Sequence, residues 1–477
     1  MLFWVIAFLM EKQAKRNSFT GSIGFVLTAA GSAVGLGNIW RFPYLASKDG
    51  GGMFLVIYLI LVVTFGFTLL TTEIAIGRKT KQSPLTAYQQ LHKKWNFLGV
   101  LASLVPIIIL PYYCVIGGWV LKYFLAYLTG NGLETSQDSY FTSFICSEFE
   151  PIILMAIFLF AVSFIIFKGV NKGIETVSKV LMPILLLLVV SISIFSLTIS
   201  HTDDNGIVRT GLQGLKIYVI PDFTNMTLSK FITILFDAIG QLFFSISVAM
   251  GIMVTYGSYV NDDANIGKSI NHIEIFDTLV AFLSGVMIIP AVFTFMGKEG
   301  MEASGPSLMF ISLPKVFASM GKAGNIIGCL FFAMVLFAAL TSAVSVMEAI
   351  VCSFIDKFSI VRFKATTIET IFTLVVGSIV CLGYNLLYFE IKLPNGTTGQ
   401  ILDIMDYVSN NIFMPLVAIG TCILIGWIVK PKIIIDEVEK NSSKFGRKKL
   451  YVVMIKFVAP ILLLILLLNS IGILNIQ

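Results

Sequence analysis

The stretch that decides the fold is GSAVGLGNIWRFPY at residues 31–44, inside the first long apolar run of the chain. Its three closely spaced glycines favour a break in a helix, because glycine leaves the backbone conformationally free. Asn38 and Arg41 add polar side chains to the same run. Helix breakers and polar groups are tolerated at membrane depth only where the backbone lines a cavity. The stretch therefore predicts an interrupted membrane helix beside an internal chamber.

The rest of the chain has the composition of a polytopic membrane protein. Of its 477 residues, 57% are hydrophobic and only 13% are charged, whereas a soluble chain carries about 25% charged residues. Apolar runs of about 20 residues, the length that crosses a bilayer as a helix, recur from end to end. We therefore predict an all-α fold with eleven transmembrane helices and exclude a soluble enzyme. The runs are centred on 21–46, 53–75, 97–128, 151–168, 176–198, 230–259, 274–296, 322–355, 366–388, 400–429 and 450–470.

The basic residues predict how the chain is oriented. Lys and Arg concentrate in the N-terminal segment and in the loops after even-numbered spans, for example at 78–81 and 447–449. The positive-inside rule then puts the N-terminus in the cytoplasm and, with eleven spans, the C-terminus outside. The expected location is a bacterial-type inner membrane. The net charge of +6 follows from these loops, so no nucleic-acid partner is predicted.

The first ten residues, MLFWVIAFLM, are apolar but too short to span, and no basic residue precedes them as in a signal peptide. We expect Met10 to be the physiological start.

Enzymatic chemistry has no candidate residues. The six cysteines lack metal-ligand spacing, and the three histidines are scattered, so neither a zinc site nor a catalytic triad is predicted. The sequence contains no complete phosphate-binding loop, and no organic cofactor is expected.

A second irregular run lies five spans after the first. Span 6 holds Gln241, Ser245, Ser247 and Gly251. Paired interrupted helices at equivalent places in two halves indicate the binding site of a secondary transporter. Close helix packing is the alternative use of such glycines, but it leaves Asn38 beside the first break unexplained.

The motifs at both breaks resemble those of the neurotransmitter/sodium symporters, in the branch of bacterial amino-acid transporters. The resemblance implies an inverted five-plus-five repeat with helices 1 and 6 broken, sodium coupling and alternating access. It implies a cytoplasmic segment at 1–20, helices 1–5 at 21–198, helices 6–10 at 199–429, and a cytoplasmic loop with helix 11 at 430–477. The matching stretches are GSAVGLGNIWRFPY at 31–44 with the Asn-free continuation KDGGG at 48–52, YY at 112–113, QLFFSIS at 241–247, TYGSY at 255–259 and AALTS at 338–342.

Two sodium sites are implied by this resemblance. A substrate carboxylate would be a further ligand of the first site, which couples the two bound species. An alternative for Thr341 and Ser342 is that their hydroxyls only bond back to the preceding helical turn. The implied ligands are Ala33, Asn38, Ser245 and Asp277 for the first site, and Gly31, Val34, Ala338, Thr341 and Ser342 for the second.

The substrate pocket is predicted at the breaks. Amides freed by unwinding, those of Leu36 and Gly37, suit a carboxylate. The pocket implied by the resemblance is apolar and carries no spare charge, so a hydrophobic or aromatic amino acid is expected. Met250 is flexible enough to admit a ring. The pocket residues are Ala33, Leu36, Gly37, Ile109, Tyr113, Phe244, Ser245, Ser247, Ala249, Met250, Ser342 and Val346.

Asp277 also bears on chloride. Chloride-dependent members of the family use a set that matches Tyr58, Gln241, Ser245 and a serine near Ala281. A fixed carboxylate beside sodium replaces the charge of chloride, so we expect chloride-independent uptake. The alternative is that Asp277 lies at a cytoplasmic helix end.

Ion pairs and rings are implied as gates. Tyr113 and Phe244 would form a hydrophobic lid. The implied pairs are Arg41 with Asp406 outside, and Arg16 with Asp356 inside, near Ser258 and Tyr259, with Phe19 where Trp is frequent.

Together these features predict a sodium-coupled importer of a hydrophobic or aromatic amino acid, with two Na⁺ ions, the lipid bilayer and possible oligomers as partners. The alternatives are a proton-coupled carrier of the same architecture, which would lack the pairing of Asn38 with Thr341 and Ser342, and a membrane sensor that binds an amino acid without transporting it.

Overall fold

The computed structural model describes residues 18–203, 206–223, 226–302, 305–440 and 444–474. Within them, ten helices are long and apolar enough to cross a membrane, and a bent pair makes an eleventh span. The predicted eleven spans are therefore confirmed. They are Ser22–Ala33 with Gly37–Lys48, Gly52–Thr80, Lys93–Leu128, Glu150–Phe167, Val170–Thr198, Leu228–Ser245, Ile266–Met296, Lys322–Phe358, Arg362–Leu382, Ile401–Ile428 and Lys448–Ser470, numbered 1 to 11 below.

Span 1 is interrupted where the glycines predict it. The helix Ser22–Ala33 ends, and the second half, Gly37–Lys48, continues at an angle of 55°. The amide of Val34 still donates to the Ala30 carbonyl at 2.7 Å, and the helical pattern then stops.

Span 6 is interrupted over residues 246–251. Its first half ends at Ser245, and a short helix, Ile252–Ser258, follows the break. Within the break Ser247, Ala249 and Gly251 have φ values of 53°, 62° and 73°. Two non-glycine residues in the left-handed region are costly and occur mostly at functional sites. The break in span 6 therefore carries backbone strain directly beside the break in span 1.

Long spans surround these breaks. Spans 3 and 8, the longest, pack against each other, and span 3 also packs on span 4. The approach to span 4 is close because a Cβ at Gly118 would lie 2.7 Å from the Met155 amide nitrogen. Small residues allow such helix contacts in membranes.

Short elements connect the spans. A hairpin pairs Ser200–Thr202 with Val208–Thr210, and a second pairs Ile391–Lys392 with Thr398–Gly399, both antiparallel. Helix Gly211–Val219 begins with a capping box between Thr210 and Gln213. Further short helices are Pro84–Leu91, Asp138–Ile145, Leu313–Ser319 and Lys432–Val438.

The turn between spans 1 and 2 is fixed to the segment before span 6. Gly51 pairs with Pro221 in an isolated β-bridge. Gly51 has φ of 56°, and a Cβ there would lie 2.0 Å from the Ile217 carbonyl oxygen, so only glycine fits. The end of span 1 is therefore held against residues 217–221.

Candidate functional site

A chamber lies between the two breaks, closed by spans 3 and 8. Its volume is about 30 Å³, which is room for two or three water molecules. The lining contains every predicted pocket residue except Leu36 and Ala249. It is formed by Ser32, Ala33, Gly35, Gly37, Asn38, Ile109, Tyr113, Phe244, Ser245, Ser247, Met250, Ile252, Ser342 and Val346. The sequence did not indicate Ser32, Gly35 and Ile252 as pocket residues.

Glycines let side chains approach the first break closely. A Cβ at Gly37 would lie 2.7 Å from the Phe244 ring, and one at Gly35 would lie 2.9 Å from the Ser342 hydroxyl. The Tyr113 hydroxyl is 3.3 Å from the same Gly35 position. That hydroxyl is buried and has no hydrogen-bond partner in the described structure. The chamber thus offers a free donor beside exposed backbone.

Ala249 lies beside the chamber rather than in its lining. Its amide donates to Glu73 Oε1 at 2.6 Å. Glu73 is buried in span 2 and was not singled out from the sequence. An ionisable residue inside an apolar span is itself a signal of function, so the sequence could have indicated it. Here the carboxylate holds the strained backbone of span 6.

Three oxygen-bearing side chains meet next to the chamber. The Asn38 amide donates to Asp277 Oδ1 at 2.7 Å, and the Ser245 hydroxyl lies 2.9 Å from the same oxygen. Ser245 is also 3.1 Å from Asn38 Oδ1. All three are buried, and they come from spans 1, 6 and 7. Three of the four residues predicted for the first sodium site are therefore in contact, although 239 positions separate Asn38 from Asp277 in sequence. The fourth, Ala33, lines the chamber beside them.

Asp277 lies inside the helix Ile266–Met296 and is 1% exposed. The alternative that it lies at a cytoplasmic helix end is therefore wrong. Tyr58 and Ser245, two of the residues predicted to match a chloride site, border this carboxylate; the Tyr58 hydroxyl is buried and has no hydrogen-bond partner in the described structure. The buried Ser284 hydroxyl, one helical turn from Ala281, has no hydrogen-bond partner in the described structure.

A second cluster joins span 8 to span 1. The Ser342 hydroxyl lies 3.4 Å from the Gly31 carbonyl oxygen, 3.2 Å from that of Ser32 and 3.5 Å from that of Val34. The Thr341 hydroxyl bonds back to the carbonyls of its own preceding turn, those of Phe337 and Ala338, at 3.0 and 3.1 Å. Ser342 thus contacts the predicted span 1 carbonyls directly, whereas Thr341 adopts the back-bonded alternative.

These clusters differ from a divalent or transition-metal centre. No group of three or more His, Cys, Asp or Glu residues gathers in the described parts of the chain. The available ligands are hydroxyl, amide and carbonyl oxygens with one carboxylate, which suits a small monovalent cation stripped of water.

The predicted external ion pair is not formed between the described Arg41 and Asp406. The Asp406 carboxylate accepts from the Tyr112 hydroxyl at 3.0 Å and from the Asn410 amide at 2.6 Å. Arg41 lies instead near Gly240 of span 6, with a guanidinium nitrogen 3.5 Å from the Gly240 Cβ position.

Packing and hydrogen bonds close the opposite end of the molecule. Phe19 is buried against Tyr256 and Tyr259, and its amide donates to the Tyr259 carbonyl at 3.1 Å. Asp356 accepts from the Ser83 amide at 2.6 Å. Arg16, its predicted partner, and Met10 lie outside the described residues.

A buried charge network at this end was missed from the sequence. Glu348 in span 8 pairs with Arg362 at 2.5 Å and accepts from the Tyr259 hydroxyl at 2.6 Å. Glu348 is an ionisable residue in an apolar span, which is a signal of function that can be recognised in the sequence. Its partner, Arg362, is the first residue of span 9, and only the packed structure shows the contact.

Comparisons with known proteins agree with this geometry. The model of the sodium:neurotransmitter symporter family matches residues 16–151 and 148–476. An uncharacterized sodium-dependent transporter, YhdH of Bacillus subtilis, is 34% identical over 97% of this chain and 99% of its own. Another, of Haemophilus influenzae, is 30% identical over 96% and 98%. The crystal structure of MhsT in complex with L-phenylalanine has a TM-score of 0.82 and 33% identity, covering 96% of this chain and all of that one.

Proposed function

Because the chain belongs to the sodium:neurotransmitter symporter family, it is a sodium-dependent secondary transporter and not an enzyme, and we propose that it imports a hydrophobic or aromatic amino acid. The observation that carries the proposal is the cluster of Asn38, Ser245 and Asp277 directly beside the chamber. A cation bound there lies next to any carboxylate held at the break of span 1.

Coupling follows from this shared geometry. The amides of Leu36 and Gly37 and the unpartnered Tyr113 hydroxyl are donors for a substrate carboxylate. The carboxylate in turn completes the coordination of the first sodium, together with the Ala33 carbonyl. Each bound species stabilises the other, so neither binds well alone.

A second sodium is proposed between spans 1 and 8. Its ligands are the carbonyls of Gly31, Val34 and Ala338 and the hydroxyls of Thr341 and Ser342. The support is the Ser342 hydroxyl, which already lies within 3.5 Å of the Gly31 and Val34 carbonyls. The Thr341 hydroxyl would have to turn from its own helix to join this set. An ion here would fasten span 1 to span 8.

The substrate side chain is proposed to be hydrophobic or aromatic. Ile109, Phe244, Met250 and Val346 give the chamber apolar walls, where a charged side chain would be desolvated without a partner. MhsT, the structural neighbour, binds L-phenylalanine. A ring exceeds the present volume of the chamber, so Phe244 or Met250 must change rotamer on binding. An unbranched thioether does this at low cost.

Chloride independence is also proposed. The Asp277 carboxylate lies beside Tyr58 and Ser245, where the protein itself supplies the negative charge that chloride would bring. The position that would carry a chloride-binding serine is the buried, apolar Ala281.

The direction of transport rests on the proposed orientation in a bacterial-type inner membrane, with the N-terminus inside and the C-terminus outside. Spans 1–5 and 6–10 would move against each other as inverted repeats. Tyr113 and Phe244 would close the outer side, Arg41 and Asp406 would approach each other on closure, and Arg16 and Asp356 would form the inner pair.

Uptake into proteoliposomes tests the proposal. Radiolabelled phenylalanine, tyrosine, tryptophan, leucine, alanine and lysine are compared under an inward sodium gradient, a choline control and a proton gradient, with chloride or gluconate. We expect sodium-driven uptake of apolar or aromatic substrates in either anion. Uptake driven by protons alone would refute sodium coupling, and preference for lysine would refute an apolar substrate. Collapse of uptake in gluconate would refute chloride independence. Binding without counterflow would identify a sensor.

A further inference from the structure

We propose that Asp49 and Asp237 form a proton-binding carboxyl pair that joins the end of span 1 to span 6. In the proposed orientation, on which the accessible side depends, the pair lies at the outer end of the transporter. A bound proton ties together the two half-helices that border the chamber, and its loss separates them. External pH would then regulate the transporter.

The first observation is an enclosed carboxyl without a donor. Asp49 follows the last residue of span 1 and is 4% exposed. Its amide donates to the Leu45 carbonyl at 2.9 Å, which fixes its backbone. Its Oδ2 atom is buried and has no hydrogen-bond partner in the described structure. A buried ionised oxygen without a donor is strongly destabilising.

The second observation is the acid beside this carboxyl. Asp237, in the helix Leu228–Ser245, accepts at 2.9 Å from Nζ of Lys48, the residue before Asp49, and its charge acts on Asp49. Two carboxylates cannot bond each other, whereas one protonated group donates to the other. A single shared proton therefore satisfies the buried oxygen and removes the repulsion between the two acids.

The surrounding charges favour a proton over a metal ion. Lys48 lies 2.9 Å from Asp237 Oδ2, so an ammonium group already occupies one side of that carboxyl. Lys230 lies earlier in the same helix as Asp237, and its positive charge also acts on the Asp49 carboxyl. A metal cation would approach two positive charges and need several oxygen ligands, whereas a proton needs only the two acids.

The other titratable neighbours do not change this balance. Tyr44 lies near Lys48 on span 1, and the backbone of Asp222 borders Gly50, which follows Asp49. Burial is the main cause that raises the pKa of Asp49, to about 7, followed by the charge of Asp237, while Lys48 and Lys230 oppose the shift. The proton is therefore exchanged within the physiological range.

The pair lies where a link between span 1 and span 6 affects how the two half-helices can move. Just after Asp49, Gly51 is bridged to Pro221, so this end of span 1 is already anchored to the segment before span 6. The carboxyl pair adds a direct link to span 6 itself. Loss of the proton places two negative charges between the half-helices Gly37–Lys48 and Leu228–Ser245.

Infrared difference spectroscopy of the purified full chain in nanodiscs, titrated from about pH 5 to 9, detects protonated carboxyl groups without requiring transport. The variants are Asp49→Asn, which keeps the shape of the protonated acid, and Asp237→Asn, which removes its partner. Asp138→Asn is the control, because Asp138 is an exposed acid that pairs with Lys315.

We expect a carboxylic C=O band in the native protein that disappears with a midpoint near 7. In the difference between native and variant spectra, Asp49→Asn should lose the amplitude of one carboxyl group near pH 7, Asp237→Asn should lower the midpoint of that component by about one unit or more, and Asp138→Asn should keep it. A full native amplitude in Asp49→Asn, or a midpoint of the lost component below about 5, would overturn the proposal. Elution as a single folded species is required of each variant, and the two variants probe the same pair independently.

The uptake profile separates this inference from the proposed function. Native uptake should fall severalfold between pH 6 and 8 relative to Asp49→Asn, whose profile should be flat there. If no amino acid is transported but the band titrates as described, the proposed function fails and the proton site stands. If transport occurs and the band is absent, the proton site fails alone.

Discussion

Replacing Asp277 by Asn tests the charge at the proposed first sodium site most directly. The substitution keeps the size of the side chain and removes its negative charge. In the structure the carboxylate accepts from the Asn38 amide at 2.7 Å and from the Ser245 hydroxyl at 2.9 Å. An amide at this position turns a donor toward one of these groups or gives up one acceptor.

The magnitude follows from these contacts. A hydrogen bond to a charged group contributes about 1.5–3 kcal/mol, roughly twice the value of a neutral one. Losing the charge from one such bond and from the ion contact removes at least about 2 kcal/mol from sodium binding, which corresponds to roughly thirtyfold in affinity. Because substrate and sodium share the site, the apparent substrate affinity should fall as well, and raising sodium should restore it.

The assay is sodium-dependent binding of radiolabelled phenylalanine to the purified protein, titrated with sodium in chloride or gluconate. Asp277→Asn should need far more sodium, and chloride should now increase binding, because a free anion can replace the missing charge. Glu274→Gln is the matched control, since Glu274 is a buried acid one turn earlier on the same helix that pairs with Arg447. Equal sodium affinity in native protein and Asp277→Asn would refute the reasoning.

Three further predictions concern other parts of the structure. Gly37→Ala should abolish phenylalanine binding while the protein still elutes as a folded species, because the new Cβ would lie 2.7 Å from the Phe244 ring; retained binding would contradict the chamber geometry. Ser342→Ala should raise the sodium needed for half-maximal uptake severalfold and more than Thr341→Val, because Ser342 alone of the two contacts the span 1 carbonyls; the reverse order would contradict this. The thermal stability of the native protein should fall as pH rises toward 7, whereas that of Asp49→Asn should not. Burial raises the pKa of Asp49 in the folded state to about 7, above the usual value near 3.9, so the folded protein is stabilised while Asp49 is protonated and loses this stabilisation as the proton leaves. Parallel dependence of the melting temperature on pH in the two proteins would disprove this prediction.

The breaks themselves could be predicted from the sequence because they depend on local chemistry. Gly35 and Gly37 remove side chains that would collide with Ser342 and Phe244, and Gly31 leaves room for Met182. Asn38 marks the polar face of the break. The pocket lining was implied by the resemblance of these motifs to the family, and the structure brings all of the implied residues except Leu36 and Ala249 to the chamber.

Other features could not be predicted because they depend on tertiary placement. Ala249 belongs to the break but lies outside the chamber lining, since its amide is turned to Glu73 on span 2. The same holds for Asp406, whose carboxylate contacts Tyr112 and Asn410 rather than Arg41. Sequence spacing identifies which residues are polar in an apolar span, whereas the partner that each one meets depends on how distant helices pack.

The arrangement of donors at both clusters suits the release as well as the binding of an ion at the proposed cation sites. Asp277 and the Asn38 carbonyl oxygen each accept a hydrogen bond from a neighbouring side chain, and the Ser342 hydroxyl is directed to span 1 carbonyls. Sodium binding at these oxygens would therefore exchange hydrogen bonds for ion contacts, and after its departure Asp277 Oδ1 and Asn38 Oδ1 would again accept hydrogen bonds. Since an unsatisfied buried acceptor costs about 1–3 kcal/mol, this exchange lowers the free-energy difference between bound and released states. A transporter needs that balance, because a site that bound sodium without such compensation would hold the ion and stop the cycle.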